Sequence, residues 1–247
     1  MRSVLTKTLR IIKRTLKRLP IDFTQNQRYD AQTVAIIKKV CKKDSNCIDV
    51  GTHSGEILDH FLKAAPAGIH FGFEPIPLFY KTLERKYASR PNVKLYECAL
   101  SDSAGTAEFN YVSTNPAYSG LKKRTYDRKG ELDEKIVVRT ALLDEVVLPL
   151  DMPIHLIKID VEGGELAVLQ GARKLVEKYK PVIIFEAGIG GSDLYGTTPE
   201  SLYTYFASFN YRISLMADYL KHLPALSAEG FKTQFINRLN YYFVAHI

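Results

Sequence analysis

The sequence predicts an α/β fold: a central, mostly parallel sheet of seven strands with helices on both faces and an added β-hairpin. From about residue 46 onward, short apolar runs alternate with helical patterns, which is typical of stacked βαβ units. The first run passes through a loop with two glycines into a helical stretch. The chain has 247 residues, of which 46% are hydrophobic and 25% are charged. These values fit a single domain, which we expect over residues 21–247.

The first 20 residues account for the net charge of the chain. The formal charge is +7, and this segment holds seven bases and no acid, so the rest of the chain is neutral. Apolar residues recur in it at steps of three and four: Leu5, Leu9, Ile12, Leu16 and Leu19. We expect a basic amphipathic helix over residues 1–20. Its role stays open between packing on the domain or on a second copy of the chain, contact with an anionic membrane surface, and a transit peptide.

Composition narrows the expected location and partners. Cations interrupt every apolar run before it reaches the length of a membrane span or a secretory core, so we expect a cytoplasmic or membrane-peripheral protein. The three cysteines, Cys41, Cys47 and Cys98, form neither a CxxC pair nor an even set, which favours a reducing compartment. The neutral body lacks the basic face of a duplex-binding protein, so no nucleic-acid partner is expected.

Three apolar runs predict the first half of the sheet: Cys47–Val50, Ile69–Phe73 and Val93–Ala99. The first run is followed by the loop Gly51–Gly55 and a helical pattern from residue 56 to about residue 65. The second run ends at Glu74-Pro75 and precedes an amphipathic stretch over residues 79–87. Each unit therefore reads as strand, loop and helix.

The second half of the chain begins with the predicted hairpin, in which Thr106–Val112 pairs with Lys135–Ala141. The polar segment between them, residues 113–134, is expected to be a mobile loop. A helix is expected from Glu165 to about Lys178, and another begins at Thr198-Pro199-Glu200. Four further apolar runs complete the sheet: Ile154–Val161, Pro181–Ala187, Tyr211–Ala217 and Tyr241–Ile247.

The loop after the first strand is the first candidate binding element. Ligands of open α/β sheets bind at the carboxyl ends of the strands, and Gly51 and Gly55 allow a tight turn and a close backbone approach. Asp49 precedes this loop, and Glu74 ends the next strand, where a carboxylate binds ribose hydroxyls. Taken singly, Asp49 could equally brace the loop and Glu74 could be solvated. Together they suit a cationic nucleoside, and the incomplete Gly-x-Gly-x-x-Gly pattern argues against a dinucleotide.

A second acidic group ends the fourth strand, where Asp160 and Glu162 share one orientation. They could orient an amino group, accept a proton from a substrate hydroxyl, or coordinate a divalent ion. The structural alternative is that Lys158 pairs with one of them and Glu162 caps the following helix. We assign Asp160 and Glu162 as the catalytic residues and expect no metal. Glu186 and His155 are the second candidates for catalysis, although His155 lies in an apolar run and is expected in the core.

With these motifs the chain resembles the FkbM family of methyltransferases over roughly residues 46–188. The motifs are Ile48-Asp49-Val50-Gly51, Phe73-Glu74-Pro75, Ala99-Leu100-Ser101-Asp102 and Ile157-Lys158-Ile159-Asp160-Val161-Glu162-Gly163. The resemblance implies a Rossmann-like class I methyltransferase fold and S-adenosylmethionine as the methyl donor. It also implies O-methylation of a hydroxyl on a sugar, a glycan or a small metabolite.

The resemblance further implies where the donor contacts the chain. Its methionine part would contact Asp49, Gly51 and Gly55, its ribose Glu74, and its adenine Ser101 and Asp102. The remaining predicted cofactor-binding residues are His53, Ser54, Pro75 and Asp160. The family usually has Ala-Asn where this chain has Thr52-His53. Three alternatives stay open: the difference alters the cofactor contacts, His53 acts on the substrate, or His53 has only a structural role in the loop.

The acceptor, a small molecule or glycan, is predicted to contact Tyr118 and Lys122 of the polar loop and Glu186. The structural alternative for the basic residues around Lys122 is a solvated surface. Two rival functions stay open: a methyltransferase-fold binding module without turnover, and a nucleic-acid methyltransferase. The tetrapeptide Asn115–Tyr118 is similar to the one that binds a flipped base, but it precedes the fourth strand instead of following it.

Overall fold

The computed structural model of the chain describes residues 24–126 and 129–247. The helix predicted over residues 1–20 lies outside these residues. Among the helices that are described, none combines the length and the apolar character needed to cross a membrane. The account below concerns the described residues.

Seven strands form the main sheet: β1 (Cys47–Val50), β2 (His70–Phe73), β3 (Val93–Tyr96), β7 (Leu156–Ile159), β8 (Val182–Glu186), β9 (Arg212–Leu215) and β10 (Tyr242–His246). Their spatial order is β3-β2-β1-β7-β8-β10-β9. Strand β10 is antiparallel to both of its neighbours, and the other pairs are parallel. The predicted seven-stranded sheet is thus confirmed, and the strand order reverses between β1 and β7, where ligands of such sheets bind.

The helices are α1 (Gln25–Val40), α2 (Glu56–Ala64), α3 (Pro77–Tyr87), α4 (Leu143–Val146), α5 (Glu165–Gln170), α6 (Arg173–Tyr179), α7 (Pro199–Ser208), α8 (Met216–Leu220) and α9 (Ala228–Ile236). Helix α1 begins at a capping box in which the Thr24 hydroxyl accepts a hydrogen bond from Gln27 N. Helix α7 begins at Pro199, as predicted, and its N-terminus has a second capping box at Thr198. The helix predicted from Glu165 to Lys178 is divided into α5 and α6 at Gly171, whose missing side chain leaves room for the backbone of Ser101.

Both faces of the central strands are covered by helices. All residues of β1, β2 and β7 are buried, as expected of a parallel sheet inside a three-layer fold. Side chains alternate between the two faces: Ile48 and Val50 pack with α4–α7 and α9, whereas Cys47 packs with α1–α3 and α8. This packing fixes the register of β1, and therefore fixes where the chain turns out of the sheet into the following loop.

A second, three-stranded sheet contains β4 (Ala99–Leu100), β5 (Gly105–Val112) and β6 (Asp133–Ala141), in the order β4-β6-β5. The antiparallel pair β5–β6 confirms the predicted hairpin. The predicted third strand, Val93–Ala99, is corrected: β3 ends at Tyr96, and Ala99 pairs with Thr140 of β6 in the second sheet. The chain thus leaves the main sheet early, which carries residues 98–100 across the end of the sheet.

Candidate functional site

A cleft of about 1120 Å³ opens at the carboxyl ends of β1, β2, β7 and β8. Its lining contains most of the residues predicted to form a site: Gly51, His53, Ser54, Glu74, Pro75, Tyr118, Asp160, Glu162 and Glu186. Residues from the carboxyl ends of four adjacent strands are therefore brought together. Tyr29 of helix α1 and Tyr241, which directly precedes β10, form a further wall, and neither was predicted at the site.

Five predicted residues do not line this cleft: Asp49, Gly55, Ser101, Asp102 and Lys122. Asp49 is buried beneath the first loop, and Gly55 packs against the Tyr87 ring of α3. The Lys122 ammonium donates to the Leu194 carbonyl oxygen at 3.1 Å. The structure thus places Asp49, Gly55 and Lys122 outside the lining of the cleft, and their contacts with a ligand stay predictions.

Ser101 and Asp102, the predicted adenine contacts, also lie outside the lining of the cleft. Because the chain crosses to the second sheet after β3, Ser101 N donates to the Ala141 carbonyl oxygen at 3.0 Å and the backbone lies against Gly171. The cleft is lined instead by the preceding residues, Cys98, Ala99 and Leu100. Ala99 belongs to an apolar cluster with Ile76 and Phe109. The cleft therefore has an apolar wall beside its polar strand ends.

Gly51 lets the first loop pass directly over the end of β7. Its φ is +81°, and a Cβ at this position would lie 2.0 Å from the Asp160 carbonyl oxygen. The amides of Gly51 and Thr52 both donate to the Phe73 carbonyl oxygen at 3.1 Å, and Asp160 N donates to Val50 O at 3.1 Å. The ends of β2, β1 and β7 are thereby fixed together.

A Gly51→Ala substitution is expected to lower the free energy of unfolding by roughly 3 kcal/mol or more, because the clash adds to the cost of a positive φ. Gly196→Ala is a matched control: its φ is +74° and open space surrounds the added Cβ, so we expect a loss of roughly 1 kcal/mol. Urea unfolding of both variants measures the difference. Equal losses would contradict the close approach of Gly51 to Asp160.

Glu74 connects the first loop to the end of β2. Its Oε2 accepts a hydrogen bond from His53 N at 2.8 Å, and its Oε1 accepts one from Ile76 N at 2.9 Å. Burial raises the pKa of Glu74 to about 7, against the effect of these two hydrogen bonds, which favour the carboxylate. Glu74 is thus fixed at the cleft with acceptor capacity remaining on each oxygen.

Asp49 is the most isolated carboxyl group near the cleft. It is 1% exposed, and neither carboxylate oxygen has a hydrogen-bond partner among residues 24–126 and 129–247. Burial raises its pKa to about 7, with Asp160 and Glu74 acting in the same direction and Lys158 opposing them. An orphaned acid directly beneath the cleft is energetically unfavourable in the free protein, and its charge would favour a cationic ligand above it.

The stability of an Asp49→Asn variant is expected to depend less on pH than the stability of the wild type. The raised pKa means that the folded state binds the Asp49 proton more tightly than the unfolded state does. This contribution to stability is fully present at a pH below the ordinary pKa of the group, and it is lost as the pH rises to about 7. Thermal unfolding between pH 4 and pH 8 should therefore show a smaller fall in Tm for the variant. Asp44→Asn, at an exposed position, is the control and should keep the wild-type slope. Identical slopes for all three proteins would contradict this role of Asp49.

Asp160 is the carboxylate of the cleft with the firmest hydrogen bonds. Its Oδ2 accepts from Lys158 Nζ at 2.7 Å and from the Tyr242 hydroxyl at 2.6 Å. Burial opposes ionisation, but the Lys158 ammonium and these hydrogen bonds outweigh it and lower the pKa of Asp160. Asp160 is therefore a fixed anion. Tyr242 was not predicted as a site residue.

Glu162 and Glu186 lie beside Asp160, with one oxygen of each of the three within 4.8 Å of the others. Carboxylates this close require cations or protons between them. Lys158 pairs with Asp160 and Arg124 pairs with Glu162, so two charges are balanced by the protein itself. Burial raises the pKa of Glu162 to about 8 and that of Glu186 well above its usual value, with Asp160 adding to both effects.

The segment between β5 and β6 closes one side of the cleft. Gly120 pairs with Asn110 of β5 through two backbone hydrogen bonds. The Arg124 guanidinium lies 5.0 Å from the centre of the Tyr118 ring and pairs with Glu162. Lys122 N donates to the Tyr195 hydroxyl at 2.9 Å. Part of the predicted loop thus packs across the cleft.

The two histidines considered from the sequence have different surroundings. The His53 ring lies 4.4 Å from the Phe79 ring at the cleft, and burial lowers its pKa, which favours the neutral imidazole. His155 precedes β7, at the opposite end of the sheet, where its Nδ1 accepts a hydrogen bond from Asn46 N at 3.1 Å. This position removes His155 from the candidates for catalysis.

Comparisons with known proteins match this architecture. The profile of the family described as "Methyltransferase FkbM domain" matches residues 49–213. Methyltransferase sdnD of Sordaria araneosa is 32% identical over 152 residues, which are 50% of this chain and 59% of sdnD. The crystal structure of Methyltransferase FkbM from Methylobacillus flagellatus KT aligns with a TM-score of 0.52 at 16% identity, over 84% of this chain and 44% of that chain. The chain thus spans about half the length of these proteins, and the structural likeness concerns the fold alone.

Proposed function

The chain belongs to the FkbM family of methyltransferases, and from this membership we propose that it transfers a methyl group from S-adenosylmethionine to a hydroxyl of a sugar, glycan or small metabolite. The observation that carries the proposal is that Glu74 and Asp160 line one cleft, with the buried and unpartnered Asp49 near both of them. Three carboxylates of different environments at one site suit a ligand with ribose hydroxyls at one end and positive charge at the other.

The chain offers a matching group for each part of the donor. Glu74 has acceptor capacity for ribose hydroxyls, and the wall of Ile76, Ala99 and Phe109 suits a flat adenine ring. Asp160 is ionised and faces the cleft, and the unpartnered Asp49 adds negative potential beneath the first loop. The bound donor would supply an electrophilic methyl group on a positively charged sulfur.

Methyl transfer is an in-line displacement at carbon, so most of the catalysis would come from holding the acceptor oxygen opposite the sulfur. The hydroxyl must also lose its proton. Asp160 is a poor proton acceptor because its pKa is lowered, whereas Glu162 has a pKa of about 8, near the operating pH. We therefore assign proton removal to Glu162 and donor binding to Asp160. Tyr118 and Glu186, which also line the cleft, are assigned to the acceptor.

The nucleic-acid alternative receives less support. Pro116, Ala117 and Tyr118 line the cleft, but they form a 3₁₀ helix in the connection between β5 and β6. The end of β7, where a base-binding tetrapeptide would belong, carries Asp160-Val161-Glu162-Gly163 instead. A hydroxyl acceptor fits a strand end rich in carboxylates better than a base does.

The proposal is tested by two measurements on the full chain. Calorimetric titration with S-adenosylhomocysteine should give a single saturable site, because the product shares the adenosine and amino-acid parts of the donor. Incubation with deuteromethyl-labelled donor and fractions of sugars and small metabolites, followed by mass spectrometry, should show one labelled methyl group on an acceptor. Absence of binding would overturn the proposal, and binding without transfer to any acceptor would favour a module without turnover.

A further inference from the structure

Strand β10 brings Tyr242 to the same edge of the sheet as Asp160. Tyr242 pairs with Glu186 across β10 and β8, and β8 is the neighbour of β7, the strand that leads to Asp160. Because β10 is antiparallel, its first residue lies at the carboxyl end of the parallel strands. Three adjacent strands thus place Asp160, Glu186 and Tyr242 in one row that lines the cleft.

The hydroxyl of Tyr242 is directed at a single carboxylate oxygen. It donates to Asp160 Oδ2 at 2.6 Å, and Lys158 Nζ donates to the same atom at 2.7 Å. With both donors on Oδ2, the rotation of the Asp160 carboxylate is fixed, and Glu186 also forms a hydrogen bond with this carboxylate. Tyr242 lies beyond residues 49–213, so the family match does not include it.

We propose that Tyr242 is a positioning residue that holds Asp160 as an oriented carboxylate for the positively charged end of the methyl donor. Tyr242 would act through Asp160, without contacting the reacting atoms. The role depends on the function proposed above. It assigns to the last strand of the fold a task in donor binding.

The charge of Asp160 depends on many neighbours, which explains why one hydrogen bond matters. The groups that face it come from every surrounding element: Lys158 on β7, Asp49 on β1, His53 in the first loop, Glu162 after β7, Glu165 on α5, Glu186 on β8 and Tyr242 on β10. Most of them are acids, and burial also opposes ionisation. Lys158 and the hydrogen bonds together keep the pKa of Asp160 low.

Tyr242→Phe removes the hydroxyl and keeps the ring. We expect the affinity for S-adenosylhomocysteine to fall severalfold, with the larger loss at the acidic end of the pH range, because the Asp160 carboxylate is no longer held in one rotation and its pKa rises. Calorimetric titration from pH 5.5 to pH 8.5 measures this. Tyr211→Phe is the control, since the Tyr211 hydroxyl donates to the Pro181 carbonyl oxygen at 2.7 Å, outside the cleft. It should leave the affinity unchanged across the range.

An equal loss of affinity at every pH would indicate a structural role only and overturn the proposal, as would an unchanged affinity. The double variant with Asp160→Asn gives a second test, because Tyr242→Phe should have no further effect on affinity once residue 160 cannot ionise. An additive loss would overturn the proposal. Titration of the wild-type protein separates the role of Tyr242 from the proposed function. If the wild type binds no S-adenosylhomocysteine, the proposed function itself fails. If the wild type binds but Tyr242→Phe shows no pH-dependent change in affinity, only the role of Tyr242 is refuted.

Discussion

Replacing Glu74 by alanine is expected to weaken binding of S-adenosylhomocysteine on the order of 100-fold, because two charge-assisted hydrogen bonds to ribose would be lost together. The substitution also removes the acceptors of His53 N and Ile76 N. The first loop would therefore lose its connection to β2 and the cleft would be less well formed. Calorimetric titration at pH 8, where the Glu74 carboxyl group is mostly ionised, measures the change.

Glu74→Gln separates the two contributions to this loss. The amide keeps the size of the side chain and one acceptor oxygen, so the loop should be less disturbed, while the charge is removed. We expect an intermediate loss of roughly tenfold. Glu177→Ala, at an exposed position on α6, is the control and should bind normally. Wild-type affinity in Glu74→Ala, with the fold verified by thermal unfolding, would exclude Glu74 from the donor site.

The sequence predicts those site residues that stand at the ends of the central parallel strands. Val50 and Phe73 end buried runs, so the positions of Gly51 and Glu74 at one edge of the sheet follow from the pattern alone. The same reasoning places Asp160 beside them. Such residues are predictable because strand burial fixes where the chain leaves the sheet, and parallel strands share one carboxyl edge.

The remaining parts of the site depend on contacts between segments far apart in the chain. Tyr242 reaches Asp160 because β10 lies antiparallel beside β8, an order that no local pattern encodes. Arg124 reaches Glu162 from the connection between β5 and β6. Ser101 lies outside the cleft lining because β3 ends three residues before Ala99, where the chain joins the second sheet. Helix α1, which contributes Tyr29 to the cleft, could have been predicted from the capping-box pattern of Thr24 and Gln27.

Replacing Glu162 by glutamine is expected to lower the rate of methyl transfer by about 10²-fold to 10³-fold, since a general base contributes on this scale. The pKa of Glu162 is raised to about 8, and a base must be ionised to accept a proton. With the donor at a saturating concentration, the kcat/KM of the wild type for the acceptor should therefore rise with pH up to about 8 and then level off. The rise should be absent in Glu162→Gln, because glutamine does not titrate.

This pH profile distinguishes Glu162 from its neighbours. Asp160 has a lowered pKa and stays ionised across the range, so Asp160→Asn should reduce the rate without removing the rise near pH 8. Glu177→Gln should keep both the rate and the profile of the wild type. If Glu162→Gln retains the rise, another group accepts the proton, and Glu186, with its pKa raised well above the usual value by burial and by Asp160, would be the next to test. In that case the ion pair between Arg124 and Glu162 would have a structural role only: it would hold the segment between β5 and β6 across the cleft.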